Sequence, residues 1–310
     1  MAQLLYFIKS ARIGQWIKNL ALYAPIIFSG FLLVPGAFAR VTWAFVLFSL
    51  LTSSVYIFND IVDIAKDRNH PFKRLRPIAS GKVGVATAFY WFAAMAVVAL
   101  FLAAQLSSFF FIAMVAYFIL NIGYTLVWKS VAILDVLSIA AGFVLRVYAG
   151  AFVIDVHMDV WFLLTVISAS LFLAVGKRRS EMTLLAGSGR DLTKHRSALM
   201  HYTKDLLDAY TSMFANTTWL TYAFFTFLHP VFRPEGKVLK LFTLLPRTLI
   251  TEKWLMSTVP VVIYGVMRYM QLIYEKNEGE SPHKVLLTDA PLLFSVCLWL
   301  VAVVTILYLI

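Results

Sequence analysis

Long apolar stretches, each close to the length that crosses a lipid bilayer, recur along the whole chain. A membrane-spanning helix needs about 20 mostly apolar residues. Nine stretches fit that requirement, with approximate bounds 16–35, 41–63, 84–104, 107–127, 132–154, 160–177, 206–228, 255–274 and 289–309. Only 14% of the 310 residues are charged, whereas about 25% are charged in a soluble domain. We therefore predict an all-α, polytopic membrane protein, a bundle of nine transmembrane helices.

Basic residues are distributed unevenly among the segments that join these stretches. The N-terminal segment and the even-numbered connectors hold most of the lysines and arginines, and the third and fifth connectors hold none. The positive-inside rule then places the N-terminus and the even connectors in the cytoplasm, and nine spans place the C-terminus outside. No linker rich in Pro, Gly and Ser divides the chain. We expect one transmembrane domain over residues 1–310 in the cell inner (plasma) membrane.

The segment at the predicted cytoplasmic end of the second stretch differs chemically from the rest of the chain. It reads NDIVDIAKDRNHPFKRLRPIASG over residues 59–81. Asp60, Asp63 and Asp67 fall at i, i+3 and i+7 and so share one helix face, which Asn59 joins. Carboxylates on one face repel one another unless a cation lies between them, and oxygen ligands suit Mg²⁺. We predict three catalytic aspartates in a Mg²⁺ site formed by Asn59, Asp60, Asp63 and Asp67.

Basic residues follow this acidic cluster directly, at Lys73, Arg74 and Arg76. Basic groups beside metal-binding acids suit an anion that carries more charge than the metal neutralises, such as a diphosphate or a sugar phosphate. The alternative is a solvated cytoplasmic loop that obeys the positive-inside rule. That alternative does not explain three acids at helical spacing on a membrane helix, where ionisable groups are costly and usually functional.

Charged residues near other stretches supply further candidates for substrate binding. The fourth stretch is followed by Tyr124, Lys129 and Asp135. Asp135 begins an apolar helix, where a carboxylate is favourable in itself, but it lies on the same predicted side as the first cluster, which favours a ligand role. Arg146 lies inside an apolar run and needs an anionic partner. Either another side chain, such as Asp155, or the substrate would supply it.

The sixth stretch ends in GKRRSE, which contains Lys177 and Arg178. Basic residues at the cytoplasmic end of a helix anchor it and interact favourably with its dipole. The same two residues would also suit a phosphate held by the acidic cluster. Both explanations stay open.

Together these motifs resemble those of the UbiA-type intramembrane transferase superfamily. Its members are nine-helix bundles with an N-D-x-x-D-x-x-x-D motif on the second helix and a second polar motif after the fourth. Within it the chain looks most like the decaprenyl-phosphate phosphoribosyltransferases. The matching segments are QWIKN at 15–19, the acidic motif at 59–81, YTLVWKSVAILDV at 124–136, GKRRSE at 176–181 and SPHKVLLTDAPL at 281–292.

This resemblance implies Mg²⁺-dependent transfer of 5-phosphoribose from phosphoribosyl diphosphate to a polyprenyl phosphate, with release of diphosphate. The metal and diphosphate positions of the family map to Asn59, Asp60, Asp63 and Asp67. Its phosphate contacts map to Lys18, Lys73, Arg74, Tyr124, Lys129, Lys177 and Arg178. The expected partners are these two substrates and the membrane. The net charge of +11 then reflects cytoplasmic loops and anionic substrates, not nucleic acid. A homo-oligomer stays open.

The second polar motif departs from the pattern of the prenyltransferases that share this fold. Those enzymes commonly carry a second D-x-x-x-D pair, whereas this chain reads KSVAILDV, with one lysine and one aspartate. Less acid and more base favours a donor whose extra phosphate is bound by side chains. The alternative is a prenyltransferase that moves a prenyl chain from a prenyl diphosphate to an aromatic or other small acceptor. A transporter would place its acids near mid-membrane, and a lipid-binding scaffold would not need them.

Overall fold

A computed structural model describes residues 2–69, 73–187, 197–229, 253–276 and 282–309. Every regular element within these residues is a helix. The chain divides into two compact units, the first comprising Met1–His157 with Asp191–Tyr202 and the second Met158–Arg190 with Thr203–Ile310. A single transmembrane domain over residues 1–310 stays a prediction.

The first unit is centred on a long helix that packs against most of its neighbours. Its main elements are α1 (Ala2–Ala11), a 3-10 helix (Ile13–Tyr23), α2 (Ala24–Phe28), α3 (Ala37–Val62), α4 (Ile64–Arg68), α5 (Val85–Leu106), α6 (Ser108–Leu126) and α7 (Leu134–Ile154), and three short 3-10 turns lie at Lys73–Leu75, Trp128–Ser130 and Ser197–His201. Helix α3 contacts the 3-10 helix, α5, α6 and α7. In lipid, a helix satisfies every backbone group internally, which is why these apolar runs become helices.

The second unit consists mainly of two long helices, followed by a group of C-terminal helices. Its elements are α8 (Val160–Gly187), α9 (Lys204–Leu228), a 3-10 turn (Trp254–Thr258), α10 (Val259–Gln271), a π-helical turn (Leu272–Lys276), α11 (Pro282–Thr288) and α12 (Ala290–Tyr308). Asp159 accepts hydrogen bonds from the backbone N–H groups of Trp161 and Phe162 and so caps α8. Helix α8 packs along α9, and α10 packs on α12.

Six helices of the described residues are long and apolar enough to cross a membrane: α3, α5, α6, α7, α8 and α12. They coincide with six of the nine predicted stretches. The prediction of an all-helical, multi-pass membrane protein is therefore confirmed. The count of nine spans is not.

The other three predicted stretches take different forms. Residues 16–35 do not form one continuous helix, because the 3-10 helix gives way to α2, which ends at Phe28 before Gly30 takes a positive φ of 79°. Residues 255–274 are divided among a 3-10 turn, α10 and a π-helical turn. Residues 206–228 lie in the continuous helix α9, whose threonines lower its hydropathy. Their hydroxyls bond to carbonyls one turn earlier, as Thr211 does to Leu207 at 2.7 Å.

The backbone of the 3-10 helix lies directly against α7 at Gly150. A Cβ atom at Gly150 would lie 2.1 Å from the carbonyl oxygen of Leu22, so only glycine permits this approach. Leu22, Ile26 and Phe48 are buried around the same contact. The contact fixes the segment that carries Lys18 against the helix that carries Arg146.

Candidate functional site

Two of the three aspartates in the acidic motif converge on one arginine. Nη1 of Arg76 donates to Oδ1 of Asp60 at 3.1 Å and to Oδ2 of Asp67 at 2.6 Å. The two carboxylate side chains are only 3% and 5% exposed, whereas that of Arg76 is 25% exposed. Buried charges of this kind persist only with a partner, and Arg76 provides one for both.

Arg12 is a second cation on the same carboxylate. Its Nη2 contacts Oδ1 of Asp60, the oxygen that Arg76 also contacts, and its guanidinium lies over the ring of Tyr56, 5.1 Å from the centroid. Arg12 joins α1 to the 3-10 helix in the left-handed region, with φ 51° and ψ 50°. Side chains other than glycine rarely adopt this conformation. The ion pair and the ring contact hold Arg12 in it.

Asp63 contacts a different cation from the other two aspartates. Helix α3 ends at Val62, and Asp63, with φ −92° and ψ 8°, separates it from α4. Oδ1 of Asp63 accepts from Nζ of Lys129 at 2.6 Å. Asn59 accepts a hydrogen bond from the Thr125 hydroxyl at 3.4 Å. Asn59 and Asp63 therefore face the end of α6, whereas the other two carboxylates face Arg76.

The donor chemistry of this cluster fits a magnesium ion. Carboxylate and amide oxygens are hard ligands, and neither His nor Cys stands among them. Each carboxylate contacts a basic side chain of the same chain, so the cluster already attracts cations. Within the part of the chain that the structure describes, no three acidic, His or Cys side chains form a ready-made metal-binding group. A bound ion would draw its ligands from Asn59, Asp60, Asp63 and Asp67, the residues that the sequence predicts.

Arg146 is held inside the first unit by neutral groups. It is buried and donates to Oδ1 of Asn19 at 2.8 Å, to the Tyr117 hydroxyl at 2.8 Å and to the carbonyl of Gly142 at 2.7 Å. Its guanidinium also lies near the rings of Phe48, Tyr117 and Phe143. Among the described residues no carboxylate forms an ion pair with it, and Asp155 caps the far end of α7. Of the two alternatives for its anionic partner, a structural carboxylate is therefore not found among the described residues.

Lys18 adds a further positive charge to the first unit. Its side chain is half-buried in the 3-10 helix and experiences the charges of Arg12 and Arg146 as well as the nearby Tyr124. Positive charges that are close together and only partly neutralised attract anions. This region therefore suits a phosphate-bearing ligand.

Asp135 is fully buried at the start of α7 and is held by a tyrosine from another segment. The hydroxyl of Tyr202 donates to Oδ1 of Asp135 at 2.9 Å. The same hydroxyl accepts the backbone N–H of Ile133 at 2.7 Å. Tyr202 follows the short 3-10 turn Ser197–His201, so the connector between α8 and α9 contributes to the first unit.

Four further predicted phosphate-binding residues lie in two other helical segments. Lys73 and Arg74 lie in an exposed 3-10 turn, Lys73–Leu75. Lys177 and Arg178 belong to the second unit, where both contact Glu181, and the Arg178 side chain is fully buried. Their phosphate-binding role stays a prediction.

Sequence reasoning missed two residues of this site. The sequence distinguishes Arg12 only as one of several basic residues in the N-terminal segment, although its guanidinium contacts Asp60. Tyr202 lies 67 residues from Asp135, and nothing in its neighbourhood in the sequence signals the contact. The spacing of charges along a helix finds partners one or two turns away, not partners from distant connectors.

A comparison with protein families decides the assignment of the chain. The model of the UbiA prenyltransferase family matches residues 22–294. The chain belongs to the UbiA prenyltransferase family. The resemblance drawn from the motifs is thereby confirmed.

Curated relatives of this UbiA-family chain carry a more specific name. It is 36% identical over 216 residues to the decaprenyl-phosphate phosphoribosyltransferase of Mycolicibacterium smegmatis, a match that covers 68% of this chain and 64% of the relative. It is 30% identical over 306 residues to the protein of the same name from Corynebacterium glutamicum, covering 97% of this chain and 86% of the relative.

Solved structures share the fold of this UbiA-family chain. A UbiA homologue from Archaeoglobus fulgidus, bound to GPP and Mg²⁺, aligns with a TM-score of 0.70 at 18% identity and covers 97% of this chain and 99% of its own. A digeranylgeranylglyceryl phosphate synthase aligns with a TM-score of 0.62 at 17% identity over the full length of both chains. At identities this low, the TM-scores show a common fold and no more.

Proposed function

We propose that this UbiA-family chain is a Mg²⁺-dependent phosphoribosyltransferase. It transfers 5-phosphoribose from phosphoribosyl diphosphate to a polyprenyl phosphate of the decaprenyl type and releases diphosphate. The observation that carries the proposal is the pairing of the acidic motif with Arg12, Arg76 and Lys129. The names of the relatives from M. smegmatis and C. glutamicum support the choice of substrates.

The acidic and basic residues of the first unit divide the binding of the donor. Asn59, Asp60, Asp63 and Asp67 would hold Mg²⁺, which when bound neutralises charge on the departing diphosphate. Arg12 and Arg76 present guanidinium N–H groups suited to bidentate contacts with phosphate oxygens, and Lys129 presents a point charge. The half-buried Lys18 and the exposed Lys73 and Arg74 extend this basic surface.

The lipid phosphate acts as the nucleophile. One of its oxygens forms a bond to the anomeric carbon of the ribose as the bond from that carbon to the diphosphate oxygen breaks. The leaving group takes the electron pair, and the ribose passes through an oxocarbenium-like state. The phosphate is already anionic at neutral pH, so the reaction needs no strong general base. The acidic cluster accordingly works without a histidine.

A prenyltransferase is the second candidate function. It is favoured by the fold shared with the A. fulgidus homologue, which binds GPP and Mg²⁺. The contact of Lys129 with Asp63 argues against it, because a lysine stands in the motif where such enzymes carry a second acid pair. A basic residue there favours a donor with an additional phosphate.

The orientation in the membrane is part of the proposal. The distribution of lysines and arginines supports a protein of the inner membrane whose site faces the cytoplasm and whose C-terminus lies outside. Alkaline phosphatase fused to the C-terminus is then expected to be active, and a fused green fluorescent protein to be dark. The opposite pattern would contradict nine spans.

The Asp63→Asn variant tests the proposed role of the acidic cluster. The substitution keeps the size of the side chain but removes the charge that Lys129 and Mg²⁺ share. Purified protein in lipid nanodiscs receives labelled phosphoribosyl diphosphate, decaprenyl phosphate and increasing Mg²⁺. We expect the variant to lose at least about 100-fold of its rate, on the scale of about 2.7 kcal/mol in the transition state, and to need more Mg²⁺.

Asp155→Asn provides the matched control. Asp155 is exposed, ends the helix that Asp135 begins, and has the left-handed φ of 52° that asparagine tolerates. Its substitution also removes one negative charge, but at the opposite end of α7, about 30 Å from Asp135. Equal effects of the two substitutions, or a Mg²⁺ requirement that Asp63→Asn does not alter, would refute the metal-binding role.

A further inference from the structure

The backbone just before α7 is strained at Ile133. Its φ of 69° and ψ of −49°, together with a hydrogen bond from the N–H of Leu134 to the carbonyl of Ala132 at 2.8 Å, define a γ-turn with positive φ. This form of the turn is rare and strained, and a β-branched residue at positive φ is a genuine outlier. Such strain persists only where neighbouring groups enforce it.

The hydroxyl of Tyr202 is the group that enforces it. It accepts the N–H of Ile133 at 2.7 Å and donates to Oδ1 of Asp135 at 2.9 Å, so one oxygen holds both sides of the turn. Tyr202 is itself buried, as are Ala198 and Leu199 in the turn that precedes it. The short segment 197–202 is thereby anchored, and the Tyr202 hydroxyl has a fixed position.

The strained turn is joined closely to the residue that contacts Asp63. Lys129 lies in the 3-10 turn Trp128–Ser130, only four residues before Ile133. The N–H of Val131 donates to the carbonyl of Trp128 and the N–H of Asp135 to that of Val131, each at 3.1 Å. These hydrogen bonds restrict the backbone between the two turns. A rotation at Ile133 would therefore displace Lys129 from Asp63.

We propose that Tyr202 is a positioning residue, which holds the γ-turn at Ile133 so that Lys129 stays on Asp63. The connector between α8 and α9 thus controls the geometry of the second polar motif. The part of the proposal that concerns donor binding rests on the proposed function. The part that concerns the placement of Lys129 does not.

A double-mutant cycle separates this role from simple packing. Tyr202→Phe keeps the ring and removes both hydrogen bonds of the hydroxyl. Ile133→Gly removes the strain, because glycine adopts positive φ freely, and it costs little packing since Ile133 is 54% exposed. We expect Tyr202→Phe to raise the KM for phosphoribosyl diphosphate about tenfold, which is about 1.4 kcal/mol, with kcat changed less. In the Ile133→Gly background the same substitution should raise KM only about twofold.

The reactivity of Lys129 gives a readout that does not depend on any activity. Substrate-free protein is treated briefly with an amine-reactive reagent, and the modification of each lysine is followed by mass spectrometry. Exposed Lys66 in α4 serves as the internal control. We expect Tyr202→Phe to speed the modification of Lys129 at least threefold relative to Lys66, and Ile133→Gly to remove most of that increase.

Three results would overturn the positioning role. One is an unchanged rate of Lys129 modification in Tyr202→Phe. Another is an equal increase in the modification rates of Lys129 and Lys66, which would indicate a general loss of structure. The third is an equal effect of Tyr202→Phe in both backgrounds. If Tyr202→Phe does not fold, Asp135→Ala takes its place, because it removes the carboxylate that accepts from the Tyr202 hydroxyl; modification of Lys129 at the parent rate in that variant would contradict the proposal. A parent protein that transfers no phosphoribose while the lysine results hold would refute the proposed function only.

Discussion

Replacing Arg76 should show how far a basic side chain stabilises the buried carboxylates of the acidic cluster. It is the shared partner of Asp60 and Asp67, and both carboxylates are almost completely buried. Removing one partner of a buried ion pair typically costs about 3–5 kcal/mol. Arg76 is a quarter exposed, so solvent screens part of its charge, and Arg12 remains on Asp60. We therefore expect Arg76→Gln to lower the free energy of unfolding by about 2 kcal/mol in EDTA, mainly through Asp67.

Mg²⁺ should reverse much of that loss. An ion that binds only the folded protein stabilises it by about 2.7 kcal/mol at a concentration one hundred times its Kd. In the parent protein the ion competes with Arg76 for the carboxylates, and in the variant it does not. The stability difference between the two proteins should therefore shrink by more than half when Mg²⁺ is added.

Unfolding of the purified protein in mixed micelles, with the fraction of SDS increased stepwise, measures this difference through the fluorescence of the 8 tryptophans. Arg40→Gln is the matched control, because Arg40 is exposed and lies in the first turn of the same helix α3. The reasoning is refuted if Arg76→Gln costs no more than Arg40→Gln, or if its cost is the same with Mg²⁺ and with EDTA.

Two further predictions concern other parts of the molecule. Arg146→Lys should lower the free energy of unfolding by about 2–3 kcal/mol, because one ammonium cannot replace the three hydrogen bonds of the guanidinium. A loss below about 0.5 kcal/mol in the same unfolding assay would show that these hydrogen bonds do not stabilise the fold. At the end of α9, burial lowers the pKa of His229, Asp159 raises it and Lys253 lowers it. The folded pKa then lies below the unfolded value of about 6.5, so the stability contributed by neutral His229 is fully present above about pH 6.5 and is lost as the pH falls through the folded pKa. Unfolding measured from about pH 7.5 to pH 5 should show a smaller loss in His229→Gln, and parallel pH curves would contradict the assignment.

The composition and the acidic motif of the sequence predict the class of the protein and the centre of its site. Apolar runs of bilayer length correctly indicate helices such as α3 and α7, because lipid leaves the backbone no other partner. The spacing of Asp60, Asp63 and Asp67 predicts a need for cations, and in the structure Arg12, Arg76 and Lys129 contact these carboxylates. Lys129, the basic residue of the second motif, donates a hydrogen bond to Asp63.

The details that failed depend on backbone irregularity and on distant contacts. Helical spacing assumes a continuous helix, so it does not show that α3 ends at Val62 or that Asp63 contacts Lys129. The first predicted span is interrupted for the same reason, since a 3-10 helix keeps the hydropathy of an α-helix while changing its geometry. The hydroxyl that bonds to Ile133 belongs to Tyr202, 69 residues away, and no local pattern indicates that contact.

The choice of donor is the central claim, and a side-by-side assay tests it most directly. Purified protein in nanodiscs with Mg²⁺ receives either labelled phosphoribosyl diphosphate with decaprenyl phosphate, or labelled geranyl diphosphate with an aromatic acceptor, and the lipid products are separated by chromatography. We expect a labelled, acid-labile phosphoribosyl lipid in the first reaction, none when EDTA replaces Mg²⁺, and no product in the second reaction. A prenylated acceptor in the second reaction, with no lipid product in the first, would contradict the proposed function.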